Sequence, residues 1–303
     1  MLKYWLIAAV LRAFSANAWT RRLYRRLGNA LGARTRIRRG LPDSYVRRAR
    51  WILDVLTQHD TARQGAELLE LGTGWLQWES TVIRLWRDVR ITLYDVWDNR
   101  QLPAAQHYFA QLAERLSELP LPPEREPRAR ELLAGIAAAR SFDELYRLLG
   151  FRYVVEPSGA LAQFPDASFD VVFSCNVLEH VDAAILPAYV RDMARLLKPG
   201  GYAVHTIDPG DHLAYYCRGV SKKNYIRYSE PTWRRWYAND VQYFNRVQRS
   251  TWLRLFQEAG LELAHEEVTR TDISRLPVAP AFAPLDPADL ACTGFKVIYR
   301  KPA

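Results

Sequence analysis

The chain lacks any apolar run long enough to cross a bilayer as a helix. A spanning helix needs ~20 consecutive apolar residues, and the longest run near the start, Tyr4 to Leu11, stops at Arg12. Cysteine is also scarce, because Cys175, Cys217 and Cys292 are the only three and lie far apart. Their spacing excludes the paired patterns of a zinc site, an iron–sulfur cluster or a disulfide framework. We therefore expect a cytoplasmic protein.

Acidic residues are absent from the first 42 positions, which contain ten Lys and Arg. The formal charge of the whole chain is +9, so the rest of the chain is close to neutral. The high pI is therefore poor evidence that the rest of the chain binds nucleic acid. Apolar residues recur at mostly helical spacing over residues 2–31, which predicts a basic amphipathic helical segment over residues 1–45.

Three interpretations of this N-terminal segment are open. We favour a helix that lies on an anionic membrane surface, because each basic residue near such a surface contributes ~1 kcal/mol. The second interpretation is an ordinary helix packed on the core. The third is a cleaved transit peptide, which is also rich in arginine and poor in acids. The favoured interpretation places the protein on the inner face of the membrane as a peripheral protein.

From residue 46 onward, short apolar strands alternate with helical segments. The predicted strands cover residues 66–71, 91–95, 153–155, 169–174, 202–207, 261–263 and 295–299. This alternation predicts an α/β fold with a doubly wound sheet over residues 46–303. Residues 101–150 exceed the ~10 to 15 residues of a simple crossover and predict a helical insertion. Residues 213–248, dense in aromatics and arginines, predict a cap.

A helix is predicted over residues 185–197, and Lys198-Pro199-Gly200-Gly201 follows it. Proline cannot continue a helix, and glycine readily takes the left-handed conformation that closes one. We therefore expect the helix to end in a loop at these four residues.

The first predicted strand runs into the turn Glu70-Leu71-Gly72-Thr73-Gly74. In a doubly wound sheet the ligand lies at the carboxyl ends of the strands, where the first turn must allow close approach to the backbone. Asp95 lies 21 residues beyond Gly74 and can accept hydrogen bonds from both ribose hydroxyls. Gln77 replaces the third glycine of the dinucleotide fingerprint, which disfavours pyrophosphate. S-adenosylmethionine fits better, since it has no phosphate and its amino group favours an acid such as Glu70.

With these residues the sequence is similar to the class I S-adenosylmethionine-dependent methyltransferases of the broad type 11 kind, over residues 67–299. Four stretches carry the likeness: Leu69-Glu70-Leu71-Gly72-Thr73-Gly74, Tyr94-Asp95, Phe164 to Val172 leading into Asn176-Val177-Leu178-Glu179-His180-Val181, and Leu196-Leu197-Lys198-Pro199-Gly200-Gly201. The resemblance implies a Rossmann-like, seven-stranded sheet with a reversed last strand. It also implies that Glu70, Gly72 and Asp95 contact S-adenosylmethionine.

Further cofactor contacts are predicted at Thr73, Gly74, Val96 and Asn176. The chain departs from the family at one point, because the acid that often holds the adenine amino group is missing ahead of the Phe-Pro-Asp stretch. Ser158 is predicted to take its place, with Gln163 as the alternative.

Methyl transfer is an in-line displacement, so the enzyme positions the acceptor and, for a hydroxyl, removes a proton. Asp208-Pro209-Gly210-Asp211-His212 follows the fifth strand, and His212, oriented by Asp208 or Asp211, is the predicted general base. One alternative is that Asp208 only opens an Asx turn and His212 only packs there. Another is that the three side chains bind a divalent metal, as in some sugar and catechol methyltransferases. We predict that these three residues act in catalysis and that the site contains no metal.

Three further residues near the predicted site carry weaker expectations. In this family Glu179 and His180 more often shape the pocket than do chemistry. His205 lies inside a predicted strand, so we expect a buried structural histidine.

The predicted function is O-methylation of a glycan, glycolipid or related small metabolite. The aromatics of residues 213–248 suit sugar rings and the arginines suit phosphate or carboxylate; the alternative is that these aromatics form the core of the cap. This region also looks like methyltransferases of bacterial glycan and natural-product biosynthesis. An RNA methyltransferase is the rival enzyme, although Ser174-Cys175-Asn176-Val177 stands where amino-methylating nucleic-acid enzymes often have Asn/Asp-Pro-Pro-aromatic. A protein that binds S-adenosylmethionine without transferring its methyl group is the third alternative.

Overall fold

The computed structural model describes residues 1–303 and contains one seven-stranded sheet and eleven α-helices. The strands are β1 (Glu67–Leu71), β2 (Arg90–Asp95), β3 (Phe151–Val155), β4 (Phe169–Cys175), β5 (Leu197–Ile207), β6 (Glu262–Arg270) and β7 (Cys292–Arg300). Their order is β3-β2-β1-β4-β5-β7-β6. The numbering descends to β1 and rises again from β4, which is the switch in strand order of a doubly wound sheet. The predicted fold class is confirmed.

Eleven α-helices precede, link and follow the strands along the chain. They are α1 (Leu2–Ser15), α2 (Ala18–Arg39), α3 (Asp43–Gln58), α4 (Trp78–Trp86), α5 (Leu102–Glu114), α6 (Glu126–Ala138), α7 (Phe142–Leu149), α8 (Leu186–Leu196), α9 (Glu230–Trp236), α10 (Arg249–Glu258) and α11 (Pro287–Leu290). The N-terminal segment is helical, and the insertion consists of α5, α6 and α7 with two short 3-10 turns. Both helical predictions are confirmed. None of the helices combines the length and the apolar character that a bilayer crossing requires.

The chain divides into two compact units. The β1 unit comprises Asn29–Ser174, Asp192–Val204 and Arg300–Ala303, and the β6 unit comprises Met1–Gly28, Cys175–Arg191 and His205–Tyr299. In the β1 unit, β1 pairs in parallel with both β2 and β4, and Leu71 lies opposite Tyr94 and Ser174. The carboxyl ends of these three strands therefore lie at one edge of the sheet.

The segment Lys198 to Gly201 corrects one prediction. Helix α8 passes directly into β5, so these residues form the first part of a strand instead of a loop. The Gly200 amide donates to the Lys301 carbonyl at 3.0 Å, and the Lys301 amide donates to the Gly201 carbonyl at 2.8 Å. Pairing with a distant segment therefore overrides the local preference of proline and glycine for a loop.

In the β6 unit, β6 and β7 run antiparallel. Thr271 donates to the Ala291 carbonyl at 2.9 Å, and Lys296 pairs with Glu267 at 2.8 Å. From Thr271, just after β6, back to Glu267 on this strand, the partner moves forward from Ala291, just before β7, to Lys296. The two strands therefore point in opposite directions.

One hydrophobic core in the β6 unit joins the start of the chain to the aromatic segment 213–248. Its members include Tyr4, Ala8, Leu11, Leu213, Tyr225, Ile226, Trp233, Tyr237, Phe244 and Leu290. The rings of Tyr4 and Tyr237 are 5.4 Å apart. These buried aromatics form the core of the cap, whereas Tyr215, Tyr216 and Trp236 remain exposed.

Candidate functional site

The turn after β1 has the open backbone that a bound ligand requires. Gly72 and Gly74 have φ of +68° and +61°, a region that side-chain-bearing residues rarely adopt. The Gly72 amide donates to the Tyr94 carbonyl at 2.8 Å, which fixes the turn against the end of β2. A Cβ added to Gly74 would have no protein atom within 4 Å. The space in front of this turn is therefore free of protein.

Asp95 ends β2 and points its carboxylate at the same turn. Its Oδ2 accepts from the Gly74 amide at 3.1 Å and its Oδ1 from the Val96 amide at 2.8 Å. Burial raises the pKa of Asp95, and the amides of Gly74, Val96 and Trp97 oppose this rise. Because a carboxylate offers about four lone-pair sites, Asp95 can still accept hydrogen bonds from ribose hydroxyls.

Glu70, one residue before the end of β1, is buried beside Ser80, whose hydroxyl donates to its carboxylate. Burial and the nearby Glu79 raise the pKa of Glu70 to about 8. An added positive charge favours the ionised form of a carboxyl group. Glu70 is therefore suited to face the ammonium group of an amino acid.

Two buried oxygen atoms near the turn have no protein partner, namely Thr73 Oγ1 and Gln77 Oε1. Buried polar atoms are nearly always hydrogen-bonded, so these atoms are available to a ligand or its water. Gln77 also holds the turn, because its Nε2 donates to the Gly74 carbonyl at 3.2 Å. The residues present therefore fit S-adenosylmethionine, and contacts of Thr73 and the two glycines with its amino-acid end and of Asp95 with its ribose stay predictions.

The predicted adenine contacts lie at the turn that follows β3. Ser158 donates to Glu156 at 2.7 Å and accepts from the Ala160 amide at 3.2 Å, so its hydroxyl is used within the turn. A Cβ on Gly159 would lie 3.8 Å from Val96 Cγ1, so Val96 faces the same turn. The roles of Ser158 and Val96 stay predictions.

Asn176, the first residue after β4, belongs to the β6 unit. Its φ is +54°, a left-handed conformation that asparagine tolerates better than most residues. The Asn176 amide donates to the Thr206 carbonyl at 2.9 Å, and the Thr206 hydroxyl donates to Asn176 Oδ1 at 3.0 Å. The exposed side chain is thus held in place after β4, and its contact with the cofactor stays a prediction.

Asp208 and Asp211 are engaged by groups other than His212. The Tyr215 hydroxyl donates to Asp208 at 2.5 Å, and the Gly210 amide donates to it at 2.9 Å, which is an Asx turn. Asp211 is buried and accepts from the Tyr4 hydroxyl at 2.7 Å and the Leu213 amide at 3.0 Å. Burial raises the pKa of Asp211 to about 6. Both carboxylates therefore stabilise the loop after β5 in this structure.

His212 instead lies close to the backbone of Asp208. Its ring stacks on Phe244 at 4.7 Å and on Tyr215 at 5.4 Å, and lies 5.0 Å from the His180 ring. Burial, followed by the neighbouring His180, lowers the pKa of His212 to about 4. The ring is therefore neutral near pH 7 and keeps one nitrogen lone pair.

Glu179 joins the two histidines in a cluster that the sequence did not predict. The ligand atoms of Glu179, His180 and His212 all lie within 4.8 Å of one another. Glu179 is 1% exposed, its Oε2 has no hydrogen-bond partner, and burial raises the pKa of its carboxyl well above the usual range. Such a cluster can hold a divalent cation. The sequence does contain one indication of this cluster. Glu179-His180 closely follows β4, and His212 closely follows β5.

A cavity of about 620 Å³ in the β6 unit adjoins this cluster. Tyr243 lines it, and the Tyr243 carbonyl is 2.6 Å from His180 Nδ1. Phe244, which stacks on His212, is also part of the wall. The polar lining includes Asp182, Glu230, Arg234, Gln242 and Arg246. The cavity therefore offers hydrogen-bonding groups around an aromatic wall.

His205 lies outside this cluster. It is fully buried in β5, and its ring stacks on Phe256 at 5.6 Å. Burial lowers its pKa to about 3. His205 is a buried histidine inside a strand, as the sequence predicted.

Comparison with known families agrees with the glycine turn and its acid. Residues 43–266 match a family model described as a methyltransferase domain, which is well over half of the chain. The chain belongs to the methyltransferase family. It is a class I S-adenosylmethionine-dependent methyltransferase, and S-adenosylmethionine is its cofactor.

Solved structures similar to this chain include two S-adenosylmethionine-dependent methyltransferases from Methanosarcina mazei and Mesorhizobium loti. They are 16% and 15% identical, cover 81% and 84% of this chain and 97% and 98% of their own, and have TM-scores of 0.43 and 0.41. Phosphoethanolamine N-methyltransferase 2 of Haemonchus contortus, in complex with S-adenosylmethionine, is 15% identical with a TM-score of 0.46. That match covers 83% of this chain and 52% of the other.

Proposed function

We propose that this methyltransferase acts on an oxygen of a glycan, glycolipid or related small metabolite. The observation that carries the proposal is His212, a neutral ring fixed between Phe244 and Tyr215 next to a polar cavity. S-adenosylmethionine supplies the electrophilic methyl group when it is bound. A hydroxyl acceptor must lose its proton as the new bond forms, and His212 promotes that loss.

The lining of the cavity supports a polyhydroxylated acceptor. Carboxylates accept hydrogen bonds from hydroxyls, guanidinium groups donate to them, and amides do both; the wall contains all three types, in Glu230, Arg234 and Gln242. Its volume of about 620 Å³ lies within the ~300 to 1,000 Å³ usual for small-molecule sites. A sugar unit could pack its apolar face against Phe244 while its hydroxyls form hydrogen bonds with the polar side chains of the lining.

The test is methyl transfer from labelled S-adenosylmethionine to a panel of saccharides, glycolipids, hydroxylated metabolites and RNA. On the acceptor found, we expect His212→Ala to lower turnover about 100-fold, because proton transfer by a positioned side chain contributes ~10²- to 10⁴-fold. The affinity for the cofactor in calorimetry should not change. His265→Ala is the matched control, because His265 is an exposed histidine on β6. Methylation of an RNA nitrogen with salt-dependent binding would instead support the RNA methyltransferase.

We further propose that the protein works at an anionic membrane surface, which it contacts through the outer face of α1. Leu2, Trp5, Leu6 and Val10 on this face are 76%, 44%, 58% and 54% exposed. The opposite face of α1 is buried in the core of the β6 unit. An apolar patch that remains exposed marks an interaction surface, and α1 is apolar on both of its sides.

Charge favours lipid as the occupant of this surface over a second copy of the chain. Arg22 and Arg26 are exposed on α2, and no acidic residue occurs in the first 42 positions. Each basic residue near an anionic bilayer contributes ~1 kcal/mol, while two copies of such a basic segment repel each other. Long arginine side chains also keep their charge in the headgroup region while apolar neighbours insert.

Co-sedimentation with vesicles of phosphatidylserine and phosphatidylcholine tests the membrane proposal. We expect the double variant Trp5→Ser/Leu6→Ser to bind at least about tenfold more weakly, because each apolar side chain loses ~1 to 2 kcal/mol of burial. Leu263→Ser is the control, since Leu263 is 41% exposed on β6. Equal binding of the double variant and the control to the vesicles would contradict the proposal. A wild-type dimer that the double variant no longer forms would also contradict it, because a second copy of the chain would then cover this surface.

A further inference from the structure

We propose that Glu179, His180 and His212 together bind one divalent transition-metal cation at the edge of the cavity in the β6 unit. The binding itself is independent of the acceptor. Only the use of the cation, activation of an acceptor hydroxyl, rests on the function proposed above.

Backbone groups of Glu179 itself and of Asp208 lie beside the Glu179 carboxyl group, but one of its two oxygens is buried without a partner. Its Oε2 is shielded from solvent and has no hydrogen bond. An unsatisfied buried polar atom costs ~1 to 3 kcal/mol, more if it is charged. No lysine or arginine pairs with Glu179 among the ion pairs of the structure. A cation at Oε2 would satisfy this carboxylate.

His180 already has the hydrogen-bond pattern of a metal ligand. Its Nδ1 lies 2.6 Å from the Tyr243 carbonyl, and a carbonyl oxygen only accepts, so Nδ1 carries the hydrogen. The lone pair is then on Nε2. Metal-binding histidines almost always donate their other N–H to a carbonyl, carboxylate or water in this way.

His212 lies beside the backbone of Asp208 and against two aromatic rings. A neutral imidazole has one nitrogen lone pair that can bind a cation. Stacking on Phe244 and Tyr215 fixes the plane of the ring. Both imidazoles are therefore oriented in advance, which lowers the entropic cost of binding a cation.

The separations and the chemistry of the donors narrow the class of ion. All three ligand atoms lie within 4.8 Å of one another, while two ligand atoms of a tetrahedral zinc ion are ~3.4 Å apart, so side-chain rotations of about an ångström close the site. Two imidazoles and one carboxylate suit Fe²⁺, Co²⁺, Ni²⁺ or Zn²⁺ better than Mg²⁺ or Ca²⁺. Asp208 and Asp211 are not part of this set, because Tyr215 and Tyr4 occupy them.

Three protein ligands leave at least one coordination position open for the acceptor. A cation lowers the pKa of a hydroxyl bound to it, so the acceptor O–H bond breaks and its proton passes to solvent water. The acceptor oxygen then forms a bond to the methyl carbon while the carbon–sulfur bond breaks and its electron pair returns to sulfur. His212 acts on the proton through the cation in this arrangement.

Calorimetry with Co²⁺ and Zn²⁺, on the full chain and without cofactor or acceptor, tests the site. The wild type is expected to bind one equivalent, and His180→Ala and His212→Ala should each weaken the affinity at least about tenfold. Bound Co²⁺ should show visible absorption that the two variants lose. Glu179→Gln, which keeps the size of the side chain, should weaken binding in the same way while circular dichroism stays unchanged.

His265→Ala provides the control, because His265 and Glu267 are another histidine–carboxylate pair, exposed and 3.6 Å apart. Equal affinity in the wild type and the three cluster variants, or no stoichiometric binding by the wild type, would overturn the proposal. If Co²⁺ binds but no hydroxyl is methylated, the proposed function fails and the metal site stands. If Co²⁺ binds but O-methylation persists undiminished in a chelator, the use of the cation in catalysis is overturned and the O-methylation proposal stands.

Discussion

The cofactor end of the β1 unit and the His180–His212 region of the β6 unit are built by different means. The first relies on backbone conformation, in a turn with two glycines at positive φ and a carboxylate that binds the turn's own amide. The second relies on side chains from remote parts of the chain, such as Tyr4 and Asp211, which are 207 positions apart. Substitutions in the first region should therefore impair cofactor binding, whereas loss of the contact between Tyr4 and Asp211 in the second should impair stability.

The largest effect should follow Asp95→Ala. Loss of the carboxylate removes the hydrogen bond to the Gly74 amide and the ribose contacts predicted for Asp95. Since a hydrogen bond to a charged group is worth ~1.5 to 3 kcal/mol, we expect roughly 100-fold weaker binding of S-adenosylmethionine in calorimetry. Asp98→Ala is the control, because Asp98 is half exposed and paired with Arg100. Unchanged binding by Asp95→Ala would refute the ribose assignment.

Tyr4→Phe addresses the other side of the comparison. It leaves the buried Asp211 carboxylate without the hydroxyl at 2.7 Å, so the free energy of unfolding should fall by ~1.5 to 3 kcal/mol. Cofactor affinity should not change. Tyr24→Phe, which removes a part-buried hydroxyl bonded to Gln242, should cost ~1 kcal/mol or less. Equal decreases in the free energy of unfolding of Tyr4→Phe and Tyr24→Phe, measured in urea, would show that the Tyr4–Asp211 hydrogen bond stabilises the fold no more than a part-buried one.

Gly74→Ala separates backbone strain from ligand contact. Gly74 and Gly65 have φ of +61° and +77°, and a Cβ on either meets no protein atom within 4 Å. Alanine at either position should cost ~1 kcal/mol of stability through its left-handed conformation. Only Gly74→Ala should weaken cofactor binding, by about tenfold, because its Cβ enters the ligand's space. Equal affinities of the two variants would remove the turn from the cofactor site.

The smallest expected effect is a pH dependence at Glu70. Its pKa is raised to about 8 in the folded chain, so the folded state binds more protons than the unfolded state between about pH 5 and 8. The free energy of unfolding must then fall as pH rises through this window, by more than ~1 kcal/mol relative to Glu70→Gln. Urea unfolding of both proteins at pH 5 and pH 8 measures this difference. Parallel pH profiles would mean that Glu70 is ionised in the folded protein throughout.

The contrast between the two regions also explains what the sequence could and could not predict. Gly72, Gly74 and Asp95 were predictable because a turn and the end of the next strand lie close in sequence and demand particular residue types. The hydrogen bond between Tyr4 and Asp211 was not, since no local pattern relates residues so far apart. The place of Glu179 in the cluster with His212 could not be predicted for the same reason. Its burial next to His212 depends on how two loops after different strands come together.

Tyr4 and the buried face of α1 also have a consequence for synthesis on the ribosome. These residues leave the ribosome well before Asp211, the partner of Tyr4, which is made 207 residues later. At ~5 to 20 residues per second, the helix waits roughly 10 to 40 s before its buried face can be covered. During that interval both apolar sides of α1 are open to chaperones or to lipid, so α1 reaches its final packing long after it is made.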